Sequence, residues 1–413
     1  MPITENKFFL GMIWLAVATG SVVFIEPAPT DLLTLASLAL FFLLGLRVPH
    51  GVGLPALLLG IFLACNVIAA AFATEPLATI RFMSVRFYMA ASCLLFTCLI
   101  YQNAKRVLPV LWSGYIFAAL IAVVFGVVAF YGVMDVGYEM MENDRVRAFF
   151  KDPNVYGPFL VPVALYSIAR LEVATKGQVA LYLAILIACA IAILLAFSRG
   201  AYINFVTSFI IYLVVRLTTQ RNQVLRSRML RLTAVMLLGG IVAVGGLATT
   251  DKVQNMLKVR MKVVQYYDMG EGGRLTRQLE IVKGIAVQPI GIGPGESEKD
   301  YYFGQAPHNL YLHTMIESGW IGGIAFLSFL FATIFRSARY IRRSVNIDGT
   351  YIAVLAALLG ILAQSLFIDS THWRHMYLLI AMLWGPLLYW ENHVLHRARP
   401  ARRPIMQPQI RAT

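Results

Sequence analysis

The sequence predicts an all-α integral membrane protein, a polytopic transmembrane helical bundle of about twelve spans. Of its 413 residues, 59% are hydrophobic and 14% are charged, whereas a soluble domain is nearer half apolar and a quarter charged. The apolar residues form long blocks, and roughly 20 residues are what a helix needs to cross roughly 30 Å of hydrocarbon. The blocks do not alternate in polarity as the strands of an outer-membrane barrel do.

Twelve apolar blocks are predicted as spans. They cover approximately residues 8–24, 30–46, 52–73, 82–101, 107–133, 154–170, 178–197, 200–216, 231–249, 308–335, 351–368 and 375–391. Residues 1–413 are therefore predicted to form a single transmembrane domain. Residues 250–307 are the one extramembrane stretch large enough for structure of its own, and they are predicted to form a large helical periplasmic loop.

The large loop contains two helical patterns and a glycine-rich turn. The segment VQNMLKVRMKVVQYY has apolar residues at three- and four-residue spacing beside lysine and arginine, which predicts an amphipathic helix on the membrane surface. The segment RLTRQLEIVKGIAV predicts a second helix. The following PIGIGPGES loop lacks the Lys-Ser/Thr ending of a nucleotide-binding P-loop.

The placement of lysine and arginine predicts the topology. If both termini are cytoplasmic, the cytoplasmic segments hold 20 of the 35 basic residues and four acidic ones, and the outer segments hold 15 basic and 17 acidic residues. This asymmetry follows the positive-inside rule. The net charge of +14 is therefore a sign of topology and of contact with anionic membrane lipids. It does not indicate binding to nucleic acid.

The sequence predicts neither a metal site nor a cofactor. Its four cysteines, at positions 65, 93, 98 and 189, all fall inside apolar blocks, so neither a disulfide framework nor a zinc site is indicated. There is no Asp-x-Asp motif of the kind that holds a metal for nucleotide sugars. An enzyme of this composition would depend on an already activated, phosphate-containing substrate that reaches the outer side of the membrane.

Ionisable residues at the outer ends of the spans point to a functional site. Such groups are costly at membrane depth, so each one invites a functional interpretation. In the predicted topology they face the same side of the membrane. They are Arg81, Arg86, Arg199, Arg274, Arg277, His308, His313, Glu317, Asp369, His372, Arg374 and His375.

Two arginines are candidates for binding phosphate. Arg199 lies in FSRGAY, a very tight connection between the seventh and eighth spans, and Arg274 lies in the large loop. A guanidinium group binds phosphate oxygens in a bidentate way that lysine does not match. The alternatives stay open at this point. Arg199 would otherwise be an interfacial residue that reaches the headgroups, and Arg274 a solvated loop charge.

A histidine is the candidate general base. His308 follows Pro307, which suits the first turn of a helix, and an imidazole can take a proton from a hydroxyl at neutral pH. On a helix His313 would lie roughly 140° round from His308, so the two are not expected to act on one atom. We favour His308, with His372 as a weaker candidate. The alternative is a helix-start histidine that binds the loop.

Five motifs together resemble a known family. They are DPNVYGPFLVP, FSRGAY, GGRLTRQLEIV, GIGPGES and PHNLYLHTMIESGWIGG, in this order. The chain resembles the O-antigen ligase/polymerase superfamily of bacterial inner-membrane glycosyltransferases over roughly the fifth to the twelfth span. The resemblance implies an architecture like that of C-class glycosyltransferases, with the active site facing the periplasm.

The resemblance also implies a reaction and a set of residues. The donor would be an undecaprenyl-diphosphate-linked glycan, and the acceptor of a ligase would be a sugar of the lipid A-core in lipopolysaccharide. Transfer would be inverting and independent of metal, with Arg199 and Arg274 on the diphosphate and His308 as the base. Further candidates in supporting roles are Arg81, Arg86, Arg145, Arg147, Arg277, His313, Asp369 and His372.

Two alternatives remain at the level of the sequence. A polymerase of the superfamily would pass the same donor glycan to another lipid-linked repeat, and such polymerases often carry two sizeable periplasmic loops. This chain has one large loop and one of about twenty residues, which favours the ligase. A transporter or flippase of a lipid-linked or anionic solute would also need arginines in a bundle, but transporters usually show internal repeats, and none is visible in this sequence.

Overall fold

The helical fold class is confirmed by the structure. It is a computed structural model that describes residues 3–44, 48–133, 139–247, 249, 251–260, 273–299, 307–344 and 347–395. Long helices dominate these residues. Their β structure is a two-residue ladder between β1 (Met141–Glu142) and β2 (Arg145–Val146), which pair antiparallel. The basic tail from residue 396 onward lies outside the described residues.

The described helices follow the predicted blocks. They are α1 (Lys7–Ala18), α2 (Pro29–Leu43), α3 (Gly53–Ala70), α4 (Pro76–Tyr131), α5 (Pro153–Val173), α6 (Lys176–Leu195), α7 (Arg199–Thr219), α8 (Gln223–Leu247), α9 (Asp251–Arg260), α10 (Arg274–Val287), α11 (Leu310–Arg343), α12 (Gly349–Gln364) and α13 (Arg374–Trp390). Five of them, α3, α4, α6, α7 and α11, are long and apolar enough to cross a membrane. The total of twelve spans stays a prediction.

Helix α4 accounts for two predicted spans. Its 56 residues would extend about 84 Å if straight, far more than one crossing requires. The backbone leaves helical geometry at Asn103, with φ −156° and ψ 73°. The side-chain oxygen of Asn103 accepts a hydrogen bond from Arg106 N at 3.3 Å, as an N-cap does. Asn103 therefore begins a second helical segment between the predicted spans 82–101 and 107–133.

The large loop is described in part. Helix α10 coincides with the predicted RLTRQLEIVKGIAV helix. Helix α9 covers the first part of the predicted amphipathic helix, and the remainder of that helix, within residues 261–272, lies outside the described residues. The position of α9 on a membrane surface stays a prediction.

Helices α7 and α12 pack closely and run antiparallel. Near the start of α7, Gly200 lies against Gln364, the last residue of α12. One turn further, a Cβ atom at Gly360 would lie 2.5 Å from the side-chain oxygen of Asn204. At the other end, Gly349 lies against the hydroxyl of Tyr212. The absence of a side chain at Gly360 lets the two backbones approach, and this contact fixes the start of α7 against the end of α12.

Residues predicted on one side of the membrane contact one another. On the predicted outer side, Lys151 pairs with Glu26 at 2.6 Å and Arg374 pairs with Asp31 at 2.6 Å. On the predicted cytoplasmic side, Arg216 forms a buried ion pair with Glu172 at 2.8 Å. These ion pairs join segments that the charge pattern places on the same side, and the two faces themselves stay a prediction. Which face is periplasmic, and where the termini lie, stay predictions.

The GIGPGES loop packs into a break in helix α11. The backbone of α11 leaves helical geometry at Gly319, with φ 70°. The carbonyl groups of Ile316 and Glu317, which the break leaves without helical partners, accept hydrogen bonds from Ile292 N at 3.0 Å and Gly293 N at 3.2 Å. Residues that are 24 positions apart in the sequence thus satisfy each other's backbone groups, as buried polar groups require.

Replacement of Gly319 by alanine is expected to destabilise the protein by about 2 kcal/mol or more, because a left-handed residue with a Cβ is strained. The new Cβ would also lie 2.5 Å from the carbonyl oxygen of Pro289. Thermal unfolding in detergent measures the effect. Gly60→Ala is the matched control, since nothing lies within 4 Å of a Cβ there. Equal melting temperatures for the two variants would contradict this account of the break.

Candidate active site

The FSRGAY turn between α6 and α7 is three residues long. Helix α6 ends at Leu195 and Arg199 is the first residue of α7. Phe197 has φ 43°, a left-handed conformation that is uncommon for a bulky residue. Ser198 is the N-cap, and its hydroxyl accepts a hydrogen bond from Ala201 N at 3.2 Å. The tight turn predicted from the sequence is therefore present, and it holds Arg199 at the N-terminus of a helix.

Asn154, from the DPNVYG motif, clamps this turn. Its side-chain oxygen accepts hydrogen bonds from the hydroxyl of Ser198 and from Nη2 of Arg145, both at 2.7 Å. Arg145 also donates through Nε to the carbonyl of Ala196 at 3.2 Å. Arg145 is thus engaged in holding the turn that carries Arg199. Its predicted contact with phosphate stays a prediction.

His308 lies before helix α11 and not within it. The helix begins at Leu310, and Asn309 is the N-cap whose side-chain oxygen accepts from Tyr311 N and Leu312 N, both at 3.0 Å. His308 itself is half-buried and left-handed, with φ 49°. The expectation that Pro307 opens the helix was therefore wrong. Consequently, the angle of 140° expected between His308 and His313 does not describe their relation.

The end of helix α12 meets the Arg199 turn. The side chain of Gln364 donates through Nε2 to the carbonyl of Asn154 at 3.3 Å and accepts from the Asn204 side chain at 3.0 Å. Asn204 lies on α7, and Gly200 at the start of that helix lies against Gln364. These contacts tie the first turn of α7 to the C-terminal end of α12.

The two residues after Gln364, Ser365 and Leu366, form hydrogen bonds with the segments that carry His308 and Arg274. The carbonyl of Leu366 accepts from the side chain of Asn309 at 3.1 Å and from that of Gln278 at 3.4 Å, and Leu310 N donates to the carbonyl of Ser365 at 3.0 Å. Asn309 follows His308, and Gln278 is one turn beyond Arg274 on α10. The three motif segments therefore converge on residues 364–366, although they are far apart in sequence.

Helices α10 and α11 begin at the same place and run parallel. Gln278 contacts Leu366 near the start of both helices. Further along, Ile281 packs with Ile316, and the indole of Trp320 donates to the carbonyl of Ile285 at 2.7 Å. The N-termini of α7, α10 and α11 thus lie around one point. Because helix N-termini carry unpaired N–H groups and partial positive charge, this region favours anions.

Two arginines, Arg274 and Arg277, lie in the first turn of α10. Arg274 is the first residue of α10, and its side chain lies outside the described residues. Arg277 is half-buried, and its buried Nη1 has no hydrogen-bond partner among the described atoms. A buried guanidinium nitrogen without a partner is costly. The predicted supporting role of Arg277 stays a prediction.

A buried network of charged side chains lies one turn further along α11. Glu317 is fully buried, and Arg86 of α4 pairs with it while also donating to the side chain of Asn66 on α3. His313 lies between two carboxylates, with Nε2 3.0 Å from Glu317 and Nδ1 2.9 Å from Asp369. The network therefore joins α3, α4 and α11 to the connection between α12 and α13.

The same network anchors the glycine-rich loop. The second carboxylate oxygen of Glu317 accepts from Gly295 N at 2.9 Å and from the hydroxyl of Ser297 at 2.6 Å. Within the α12–α13 connection, Asp369 accepts from Thr371 N at 3.0 Å and from the Thr371 hydroxyl at 2.7 Å. Both carboxylates are thus surrounded by donors, as buried carboxylates must be.

Two residues of the α12–α13 connection have shifted pKa values. Burial alone would raise the pKa of Asp369, but the charge and hydrogen bond of His313 outweigh burial and lower that pKa far below its usual value. Burial lowers the pKa of His372 to about 4, despite the neighbouring Asp369. His372 is therefore neutral at pH 7, and its Nε2 has no hydrogen-bond partner among the described atoms.

The sequence of this region matches a known family. The sequence profile described as O-antigen ligase matches residues 184–327, which include Arg199, Arg274 and His308. This match, over about a third of the chain, supports the resemblance to the O-antigen ligase superfamily. No curated protein and no solved structure matches it significantly.

Similarity to this family supports an activity in general terms. The family carries out glycosyl transfer of the ligase or polymerase type in lipopolysaccharide assembly. It implies a lipid-linked glycan as donor and the lipid A-core as acceptor. Together with the long apolar helices, the match indicates a membrane protein.

Two further arginines that were predicted to support phosphate binding, Arg81 and Arg147, instead make contacts near the protein surface. Arg81 pairs with Glu26 at 2.8 Å. The guanidinium of Arg147 donates to the carbonyl of Glu139 at 2.9 and 3.1 Å and to that of Lys151 at 3.3 Å. None of these bonds reaches residues 364–366. Phosphate binding by Arg81 and Arg147 stays a prediction, and so does that by the buried Arg86.

Sequence reasoning did not single out two residues that organise this site, Asn154 and Gln364. Asn154 was visible only as part of the DPNVYG motif. Gln364 is a polar residue inside an apolar block, a signal that would have justified attention because such a group needs a partner. Glu317 and Arg86 were both named as ionisable candidates, but nothing in the sequence indicated that they pair with each other across 231 residues.

Proposed function

We propose that this protein is an O-antigen ligase that transfers a glycan from undecaprenyl diphosphate to a sugar hydroxyl of the lipid A-core at the periplasmic face. The observation that carries the proposal is the convergence of the segments of Arg199, Arg274 and His308 on residues 364–366. Residues that bind one donor and activate one acceptor must meet within a single site.

The proposed reaction is a single displacement. The acceptor oxygen attacks the anomeric carbon of the donor glycan and forms the new glycosidic bond. The bond between that carbon and the diphosphate oxygen breaks, and undecaprenyl diphosphate leaves. The proton of the acceptor hydroxyl passes to His308, whose imidazole suits a general base near neutral pH. Attack opposite the leaving group inverts the anomeric configuration.

The arginines would stabilise the departing diphosphate. Arg199 lies at the N-terminus of α7 and Arg274 at that of α10, so each guanidinium adds to the positive end of a helix dipole. The charge that develops on the leaving group is best stabilised by donors already in place. Arg277, whose buried Nη1 has no hydrogen-bond partner within the described part of the chain, is a further candidate donor to the same oxygens.

Reconstitution tests this proposal and its alternatives. Purified protein is mixed with undecaprenyl-diphosphate-linked glycan and rough lipopolysaccharide, and the products are separated on a gel. A ladder on lipid A-core supports the ligase. Longer glycan that remains on the undecaprenyl carrier would instead identify a polymerase. If neither product forms while a control ligase uses both substrates, and vesicles show solute movement, the transporter is correct.

The chelator EDTA is expected to leave the transfer rate within about twofold of its uninhibited value, an estimate that assumes positioning and electrostatics replace metal chemistry. In the described part of the chain, no group of three or more His, Cys, Asp or Glu side chains is arranged to hold a metal ion. The rate is measured before and after dialysis against EDTA. Strong inhibition that Mg²⁺ or Mn²⁺ reverses would show that metal independence is wrong.

A further inference from the structure

The geometry around His313 fixes its charge. Both ring nitrogens lie within 3.0 Å of carboxylate oxygens, one from Glu317 and one from Asp369. A neutral imidazole has one N–H donor and one lone pair, so its lone pair would face an anion at one of the two contacts. An imidazolium instead places its positive charge against both carboxylates. The four side chains Arg86, Glu317, His313 and Asp369 are then balanced, with two positive and two negative charges.

A charged His313 cannot serve as a general base, because it has no lone pair to accept a proton. It acts instead as the link between α11 and the α12–α13 connection. On one side, His313 N donates to the carbonyl of Asn309 at 2.9 Å, one turn from His308. On the other side, Asp369 belongs to the same connection as Leu366, whose carbonyl accepts from the Asn309 side chain.

We propose that His313 and Asp369 form a charge-balanced pair of positioning residues that fixes His308 for transfer. This inference rests on the proposed function, since it assigns His308 the role of base. The carbonyl of Asn309 accepts a hydrogen bond from His313 N along the helix, and its side chain donates to the carbonyl of Leu366. The turn of Arg199 is instead held by Asn154 and Gln364. Loss of the pair should therefore disturb His308 more than the binding of the donor.

A neutral substitution followed by a compensating one tests the pair. In His313→Gln, the half-buried Asp369 carboxylate loses its positive partner, and we expect kcat to fall between about 10- and 100-fold, as for other small misplacements of a catalytic group. The Kd for the undecaprenyl-diphosphate-linked glycan should change by less than about threefold. Adding Asp369→Asn removes the excess charge, and the double variant should regain at least about fivefold in kcat.

Three outcomes would overturn the proposal. They are an unchanged kcat in His313→Gln, a double variant no more active than His313→Gln, and a donor Kd that weakens in parallel with kcat. Asp369→Asn alone provides a second single variant if His313→Gln does not fold. Donor-binding stoichiometry counts the folded molecules in each sample, so loss of folded protein is not mistaken for loss of kcat.

A remote ion pair supplies the control. Glu172→Gln breaks the buried pair with Arg216 on the opposite face, and it should lower stability while leaving kcat per folded molecule unchanged. Wild-type protein and His308→Ala are assayed in parallel. If the wild type makes no glycosylated product, the proposed function fails. If the wild type is active and His308→Ala is not, a fully active His313→Gln variant refutes the positioning role alone.

Discussion

Replacement of His308 by alanine is expected to lower the rate of glycan transfer by about 10²- to 10⁴-fold, the range that a positioned general base contributes. The two histidines nearest the network are not suited to replace it. His313 is held as an imidazolium between two carboxylates, and burial lowers the pKa of His372 to about 4, which makes it a weak base. The measurement is the initial rate of lipid A-core glycosylation at saturating donor.

Binding of the donor should survive in His308→Ala, because the arginines and helix N-termini are expected to hold the diphosphate. A Kd for the undecaprenyl-diphosphate-linked glycan within about threefold of the wild-type value would fit a role confined to proton transfer. His393→Ala is the matched control, since that histidine stacks on Tyr389 beyond the end of α13. Normal turnover by His308→Ala would remove it as the base.

Composition was sufficient to predict the helical class, which depends on a rule that acts along the chain: long apolar segments form helices in a membrane. The two faces inferred from the placement of basic residues stay a prediction. The resemblance supplied Arg199, Arg274 and His308 together. Their meeting point at residues 364–366 was not predictable, because it depends on side-chain contacts such as Asn204 with Gln364, which are 160 residues apart.

The start of helix α11 shows how two local rules compete. Pro307 suits the first position of a helix, and the prediction followed it. Asparagine, however, is among the best N-cap residues, and Asn309 satisfies two N–H groups at the start of α11. Capping prevailed, and His308 was left in a left-handed conformation outside the helix. The outcome matters for function, since a residue before a helix can approach a ligand at its N-terminus.

Arg199→Ala is expected to lower the transfer rate by about 10²- to 10³-fold, the usual cost of removing a donor that stabilises developing charge. Arg199→Lys should recover only part of that loss. A lysine retains the charge but cannot reproduce the planar fork that binds two phosphate oxygens at once. The rigid turn sharpens the test, since Asn154 and Gln364 fix the backbone of the first turn of α7.

The decisive measurement is the kcat of Arg199→Lys together with its Kd for the undecaprenyl-diphosphate-linked glycan. Arg170→Lys is the matched control, because Arg170 is also half-buried but lies in the last turn of α5, where it contacts Tyr182. Full activity in Arg199→Lys would refute bidentate binding at this position. Loss of kcat in Arg170→Lys as large as that in Arg199→Lys would attribute both effects to the fold. A loss confined to Arg199→Lys would tie the diphosphate to the N-terminus of α7, where the tight turn holds the guanidinium against the bundle.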